Sequence, residues 1–281
     1  MQFGVNSFVW ISPFTSDGVA LFPRVREMGF DIFEFAVEDP ANYDLPYLKQ
    51  GLSEYGLQPI VCGVFGPDRD LSSDDPQIRQ NAADYLDWCI GAASALGSPV
   101  IGGPMYASVG KARLLPPQER QAEWQRAVTG VRQAAQAASR YGVKLAIEPL
   151  NRFETDLINT VAQGLQFVRD TGEENVGFHL DTFHMHLEEK SSPAAIRAAG
   201  NLVFHFHACE NDRGIPGTGQ VNWNGIAQAL RDIQYGQAVV IESFTPDVTE
   251  IARAVCIWRE IAPDQDTIAR TGLDFLKNLL H

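Results

Sequence analysis

Residues 144–148 read KLAIE and residues 176–181 read VGFHLD, and each is a short apolar run that ends in a carboxylate. Six further runs of similar length recur along the chain. They are rich in Val, Ile and Phe and are bounded by Gly or Pro, which is typical of buried β-strands. The eight predicted strands cover residues 3–7, 31–36, 57–63, 99–102, 144–148, 176–181, 202–207 and 238–242.

The segments between these strands carry helix signals. Asp74-Asp75-Pro76 begins one segment and Pro116-Pro117 begins another, and apolar residues follow each at helical spacing. Eight strands that alternate with helices predict an α/β fold with a parallel sheet, namely a (β/α)8 TIM barrel that spans residues 1–281 as one domain. A doubly wound open sheet is the rival fold, but no GxGxxG motif follows the first strand.

Composition excludes several classes of protein. The chain has 22 basic and 35 acidic residues, a formal charge of −13, which disfavours broad binding to nucleic acid. The charge-free residues 88–110 contain several Gly and Pro residues, so we interpret them as a helix end, a loop and a strand rather than a membrane span. Without an evident signal peptide or a CxxC pair, we expect a cytoplasmic protein with reduced thiols.

The last four predicted strands end in Glu148, Asp181, His207 and Glu242. The carboxyl ends of barrel strands meet at one rim, where barrel enzymes carry out their chemistry. Three carboxylates and one imidazole form an oxygen-rich ligand set, which favours Mn²⁺, Mg²⁺ or Co²⁺ over a structural zinc ion. The pattern therefore predicts a divalent metal site at this rim.

Further polar residues follow the same strands. His184 comes shortly after Asp181, and Arg213 lies in the Gly- and Pro-rich loop after His207; we expect both to contact a substrate. We expect His186 to be structural and Arg152 to pair with a carboxylate.

Four blocks of sequence carry a family resemblance. They are EPLNRFE (148–154), LDTFHMHLEE (180–189), HFHACENDRGIPGTG (205–219) and IESF (241–244). Together they resemble the ketose 3-epimerases, the D-tagatose/D-allulose (psicose) and L-ribulose 3-epimerase group of the xylose isomerase-like barrels. The resemblance extends over nearly the whole chain.

The resemblance implies a metal-dependent enzyme that inverts C3 of free ketoses. One Mn²⁺, Mg²⁺ or Co²⁺ ion would be bound by Glu148, Asp181, His207 and Glu242. Glu148 and Glu242 would also be the acid/base pair that removes and returns the C3 proton through a cis-enediolate.

The resemblance also implies that the O1–O3 end of the sugar is held by Glu154, His184 and Arg213. It implies a homodimer or a homotetramer. Two positions depart from the pattern of some relatives, because Val109 stands in place of a Trp and His186 in place of an Asn. Both departures concern sugar preference rather than the metal ligands.

Three alternatives remain open. An aldose–ketose isomerase, such as a hydroxypyruvate isomerase-like enzyme, would use the same ligand set. A phosphate-cleaving endonuclease would need a histidine-rich zinc site and a basic face, which six histidines and a charge of −13 disfavour. A sugar-binding module on a decayed barrel is disfavoured because both acid/base carboxylates are present. The stretch SFTPDVTE (243–250) has no Lys or Arg, so free sugars are preferred over phosphorylated ones.

Overall fold

A computed structural model describes residues 1–280, and His281 lies outside the described residues. The eight strands are all parallel and form a closed barrel in chain order. They are β1 (Gln2–Asn6), β2 (Ile32–Val37), β3 (Gln58–Gly63), β4 (Val100–Gly103), β5 (Lys144–Ile147), β6 (Val176–Asp181), β7 (Val203–Ala208) and β8 (Ala238–Ile241).

The predicted strands agree with these bounds to within one residue at each end. Pairing of β1 with β8, with Gly4 opposite Val240, closes the sheet. The (β/α)8 barrel is therefore confirmed, and the open doubly wound sheet is excluded.

Ten α-helices lie in the part of the chain that the structure describes. They are α1 (Phe22–Met28), α2 (Leu45–Tyr55), α3 (Pro76–Leu96), α4 (Pro117–Ser139), α5 (Val161–Thr171), α6 (Thr182–Glu188), α7 (Ser192–Ala199), α8 (Trp223–Asp232), α9 (Thr249–Ala254) and α10 (Gln265–Leu280).

The two predicted helix starts are confirmed. The Asp75 side chain caps α3 by accepting a hydrogen bond from the Gln77 backbone, and Pro76 occupies the first turn, where a missing N–H costs nothing. Helix α4 likewise begins at Pro117. Residues 88–110 form the end of α3, a short connection, β4 and the loop that follows it. Among the described helices, none combines the length and the apolar character needed to cross a bilayer.

The barrel interior changes from apolar to polar along its axis. Side chains alternate between the two faces of a strand, so residues two positions apart share the interior face. Beyond Ile32, Ala146 and Val240 on this face come Glu34, Glu148 and Glu242. The apolar layer below the polar one is formed by Ile32, Ile60, Val100, Ala146, Ala238 and Val240.

Gly102 of β4 provides room within the polar layer. A Cβ atom at this position would lie 3.0 Å from His179 Nδ1 and 3.2 Å from His205 Cδ2. Both imidazoles are fully buried, so neither can move aside into solvent.

We expect Gly102→Ala to lower the free energy of unfolding by about 1–3 kcal/mol, because the added methyl overpacks the barrel interior. Gly91→Ala is the matched control, since Gly91 lies within α3 and has no neighbour within 4 Å of an added Cβ. The control should raise the free energy of unfolding by about 0.5–1 kcal/mol. Urea unfolding measures both, and a Gly102→Ala variant as stable as the wild type would contradict this account.

Candidate active site

The four predicted metal ligands lie together at the carboxyl ends of β5 to β8. Donor atoms of Glu148, Asp181 and His207 lie within 4.8 Å of one another. Glu242 Oε2 is 3.6 Å from His207 Nδ1. All four side chains are buried, with exposed fractions between 0% and 8%.

Arg213 provides a positive charge for this set. Its Nη1 donates to Asp181 Oδ2 and to Glu242 Oε2, each at 3.0 Å. The guanidinium lies over the rings of Phe183 (4.0 Å) and Phe244 (5.1 Å). Its backbone φ of +66° is uncommon for a residue other than glycine. The loop after β7 therefore adopts a strained conformation that places the guanidinium beside the carboxylates.

Glu210 organises that loop, and sequence reasoning did not select it. Its buried carboxylate accepts hydrogen bonds from the backbones of Asn211, Gly217 and Val221 and from the indole of Trp223. Burial acts to raise the pKa of Glu210, but these hydrogen bonds outweigh it and hold the pKa below its ordinary value. A loop rich in Gly and Pro is thus held in one conformation by one buried anion.

The orientation of His207 fits a metal ligand. Its Nε2 lies 2.6 Å from Glu34 Oε1. Its Nδ1 faces Asp181 and Glu242 and makes no hydrogen bond to any residue that the structure describes. A fully buried nitrogen without a partner is rare in proteins, and carboxylate oxygens beside it complete a donor set suited to a divalent cation.

Sequence reasoning also missed Glu34, His179 and His205, which lie within strands rather than at their ends. All three are fully buried inside the barrel. The signal that could have found Glu34 is its place in the apolar run IFEFAV, because charged side chains are almost never fully buried unless paired.

The two candidate acid/base carboxylates differ in their electrostatics. Burial raises the pKa of Glu148 well above its ordinary value, and the nearby charge of Glu242 adds to this. Burial also acts to raise the pKa of Glu242, but His207 and Arg213 outweigh it, so this pKa lies below its ordinary value. Neighbouring carboxylates with oppositely shifted pKa values are typical of an acid/base pair.

The pKa of His207 is raised. Burial acts to lower it, but the negative charges of Glu34 and Glu242 outweigh burial and bring this pKa well above its ordinary value. Protons therefore bind firmly to His207 and to Glu148, and a cation that binds here must displace them.

A cavity of about 360 Å³ opens beside the carboxylates. The three predicted substrate contacts, Glu154, His184 and Arg213, all line it. Asn151 joins two of them, since its Nδ2 donates to Glu154 Oε1 at 2.7 Å and its backbone N–H donates to His184 Nδ1 at 3.1 Å. The apolar part of the lining includes Phe8, Val64, Phe65, Pro67, Val109, Ile251 and Val255.

The two other predicted polar residues lie outside the cavity. Arg152 forms a bidentate ion pair with Glu188, with N···O distances of 2.9 and 3.0 Å. The predicted pairing of Arg152 with a carboxylate is therefore confirmed. His186 is exposed on α6. Val109 lines the cavity, and its loop is tied down because Val109 N–H donates to the carbonyl of Phe65 and Gly110 N–H to that of Glu154.

Residues 22–279 match the model of the xylose isomerase-like TIM barrel family. The chain belongs to this family. Its relatives include the L-ribulose 3-epimerase of Mesorhizobium japonicum, 32% identical over 98% of this chain and 93% of that protein. The D-psicose 3-epimerase of Agrobacterium fabrum is also 32% identical, over 100% of this chain and 99% of that protein.

Comparison with a solved structure gives the same kind of relative. This xylose isomerase-like barrel superposes on the D-allulose 3-epimerase of Methylomonas sp. in complex with D-allulose with a TM-score of 0.93. Sequence identity is 28%, and the match covers 99% of this chain and 96% of that one. The predicted membership of the ketose 3-epimerase group is confirmed.

We expect the affinity of this xylose isomerase-like barrel for Mn²⁺ to rise with pH. The raised pKa values of Glu148 and His207 mean that protons compete with the metal, and this competition weakens as pH increases. Titration of metal-stripped protein with Mn²⁺ at about pH 6 and about pH 8, followed by electron paramagnetic resonance of the free ion, measures the effect. Equal affinity at both pH values would contradict the proton competition.

Proposed function

We propose that this protein is a divalent-metal-dependent epimerase that inverts C3 of free ketoses, of the D-allulose/D-fructose, D-tagatose/D-sorbose or L-ribulose/L-xylulose type. The observation that carries the proposal is the pair Glu148 and Glu242. Both line one cavity, and their pKa values are shifted in opposite directions. They occur in a chain that is similar to 3-epimerases from end to end.

The cation is one Mn²⁺, Mg²⁺ or Co²⁺ ion, held by Glu148, Asp181, His207 and Glu242. A divalent cation supplies Lewis-acid stabilisation of negative charge on substrate oxygens. The unpartnered Nδ1 of His207 and the adjacent carboxylates support this site.

The two glutamates move the proton. In one direction one of the two glutamates removes the C3 proton, and the electrons of the C–H bond form the cis-enediolate of C2 and C3. The other glutamate then donates a proton to the opposite face of C3, which inverts that centre. The roles reverse for the other epimer, as microscopic reversibility requires.

The remaining polar residues bind the sugar. As the family resemblance implies, Glu154, His184 and Arg213 hold the O1–O3 end, and all three line the same cavity as the acid/base pair. Among the cavity-lining residues that the structure describes, Arg213 is the only cation, and it already contacts Asp181 and Glu242. This arrangement supports a free ketose rather than a sugar phosphate as the substrate.

The reaction is tested by incubating the protein with Mn²⁺ in D₂O with fructose, allulose, tagatose, sorbose or ribulose. We expect the C3 epimer of at least one ketose, with deuterium at C3 and none at C1. An aldose–ketose isomerase would move the proton between C1 and C2. Deuterium at C1 together with an aldose product would therefore overturn the proposal.

We expect Glu148→Gln and Glu242→Gln each to lower kcat by at least about 10²-fold, because a general acid/base group is worth about 10²–10⁴-fold. Glu173→Gln is the control: Glu173 precedes β6, at the opposite end of the barrel, and accepts a hydrogen bond from Gln136 Nε2. Its kcat should equal that of the wild type. Normal turnover in either active-site variant would refute the assigned roles.

We further propose that the protein is a cytoplasmic homodimer or homotetramer. Leu114 and Phe153, 99% and 74% exposed, lie on neighbouring loops that a Gly110–Glu154 backbone hydrogen bond joins, and they offer an apolar contact surface. The four cysteines are all free, which fits a reducing compartment. Light scattering should give a mass of two or four times 31.0 kDa, and a monomer would contradict the proposed oligomer. Cell fractionation tests the location, and a secreted protein would contradict the proposed cytoplasmic location.

A further inference from the structure

Glu34 of β2 places a carboxyl group in the interior of the barrel. Its side chain is fully buried, and such a carboxylate destabilises a fold unless it is paired. Glu34 Oε1 accepts a hydrogen bond from Asn6 Nδ2 at 2.7 Å and lies 2.6 Å from His207 Nε2. Its Oε2 lies 2.6 Å from His205 Nε2. The proton-transfer scheme above uses none of these contacts.

The contact with Glu34 determines which nitrogen of His207 is available to a cation. An ionised carboxylate accepts hydrogen bonds and donates none, so the 2.6 Å contact requires a proton on His207 Nε2. The lone pair of the neutral ring is then on Nδ1. That atom lies 3.8 Å from Asp181 Oδ2 and 3.6 Å from Glu242 Oε2.

The surroundings hold this contact rigidly. Asn6 Oδ1 accepts from the backbone N–H of Phe8, so the residue that anchors Glu34 is itself fixed at the end of β1. On its other side, the His207 ring packs against the ring of His179, with centroids 4.0 Å apart and an interplanar angle of 77°. The imidazole therefore has little freedom to rotate.

We propose that Glu34 is a positioning residue that orients His207 and fixes its tautomer, and that its negative charge polarises the imidazole and thereby strengthens the binding of the divalent cation. The proposal rests on the proposed function only in that a cation binds beside His207. Carboxylates that hydrogen-bond a ligating histidine typically change metal affinity about 10–100-fold.

The variant Glu34→Gln tests the proposal. Glutamine keeps the shape of the side chain and one carbonyl oxygen but removes the charge that polarises His207. We expect the Kd for Mn²⁺ to rise about 10–100-fold, as measured by electron paramagnetic resonance of the free ion. We also expect excess Mn²⁺ to restore most of the lost activity, which it would not do if Glu34 contacted the sugar.

Glu38→Gln is the matched control. Glu38 directly follows β2 and accepts hydrogen bonds from Ser12 Oγ at 2.6 Å and from the Phe14 backbone at 3.1 Å. It should bind Mn²⁺ as the wild type does. A folded Glu34→Gln variant with wild-type Mn²⁺ affinity would overturn the proposal.

A second measurement does not depend on the folding of a variant. Nitrogen-15 NMR of histidine-labelled wild-type protein with Mg²⁺ should show the His207 proton on Nε2, and a proton on Nδ1 would overturn the proposal.

The binding of Mn²⁺ is measured independently of sugar turnover, so the two proposals can fail separately. If the wild type binds Mn²⁺ but epimerises no ketose, only the proposed function fails; if it binds no Mn²⁺, both proposals fail.

Discussion

Three carboxylates buried at one rim of the barrel can coexist only beside compensating positive charge. Closure of the sheet brings Glu148, Asp181 and Glu242 together, and burial penalises each charge. Arg213 supplies positive charge through two contacts of 3.0 Å, and His207 supplies more. The left-handed backbone of Arg213 places this guanidinium beside the carboxylates.

The same charges make the two glutamates unequal. Glu148 and Glu242 occupy equivalent places after β5 and β8. Glu242, however, faces Arg213 and also His207, whose pKa is raised. The imidazoles nearest Glu148 are those of His179 and His184, at 3.6 and 3.7 Å. Burial lowers the pKa of both, so they are neutral and offer Glu148 little compensation. A pair that is symmetric in topology thereby has pKa values that are shifted in opposite directions.

Much of the fold was predictable because its determinants are local. Apolar runs of four to seven residues bounded by Gly or Pro predicted every strand, and Pro76 and Pro117 marked helix starts through the chemistry of the first turn. Closure was not local: it depends on pairing between the first and last strands, which are more than 200 residues apart. Only the count of eight strands indicated it.

The rim residues were predictable because the carboxyl end of each strand is visible in sequence and the topology brings those ends together. Glu34 was missed because its partners, His205 and His207, lie about 170 residues away on β7. The sequence by itself determined the strands, the alternation of their side chains and the polar residues at their ends. Only the tertiary structure decided which charges meet, because a buried charge is set by its spatial neighbours, and those come from strands and loops that are distant along the chain.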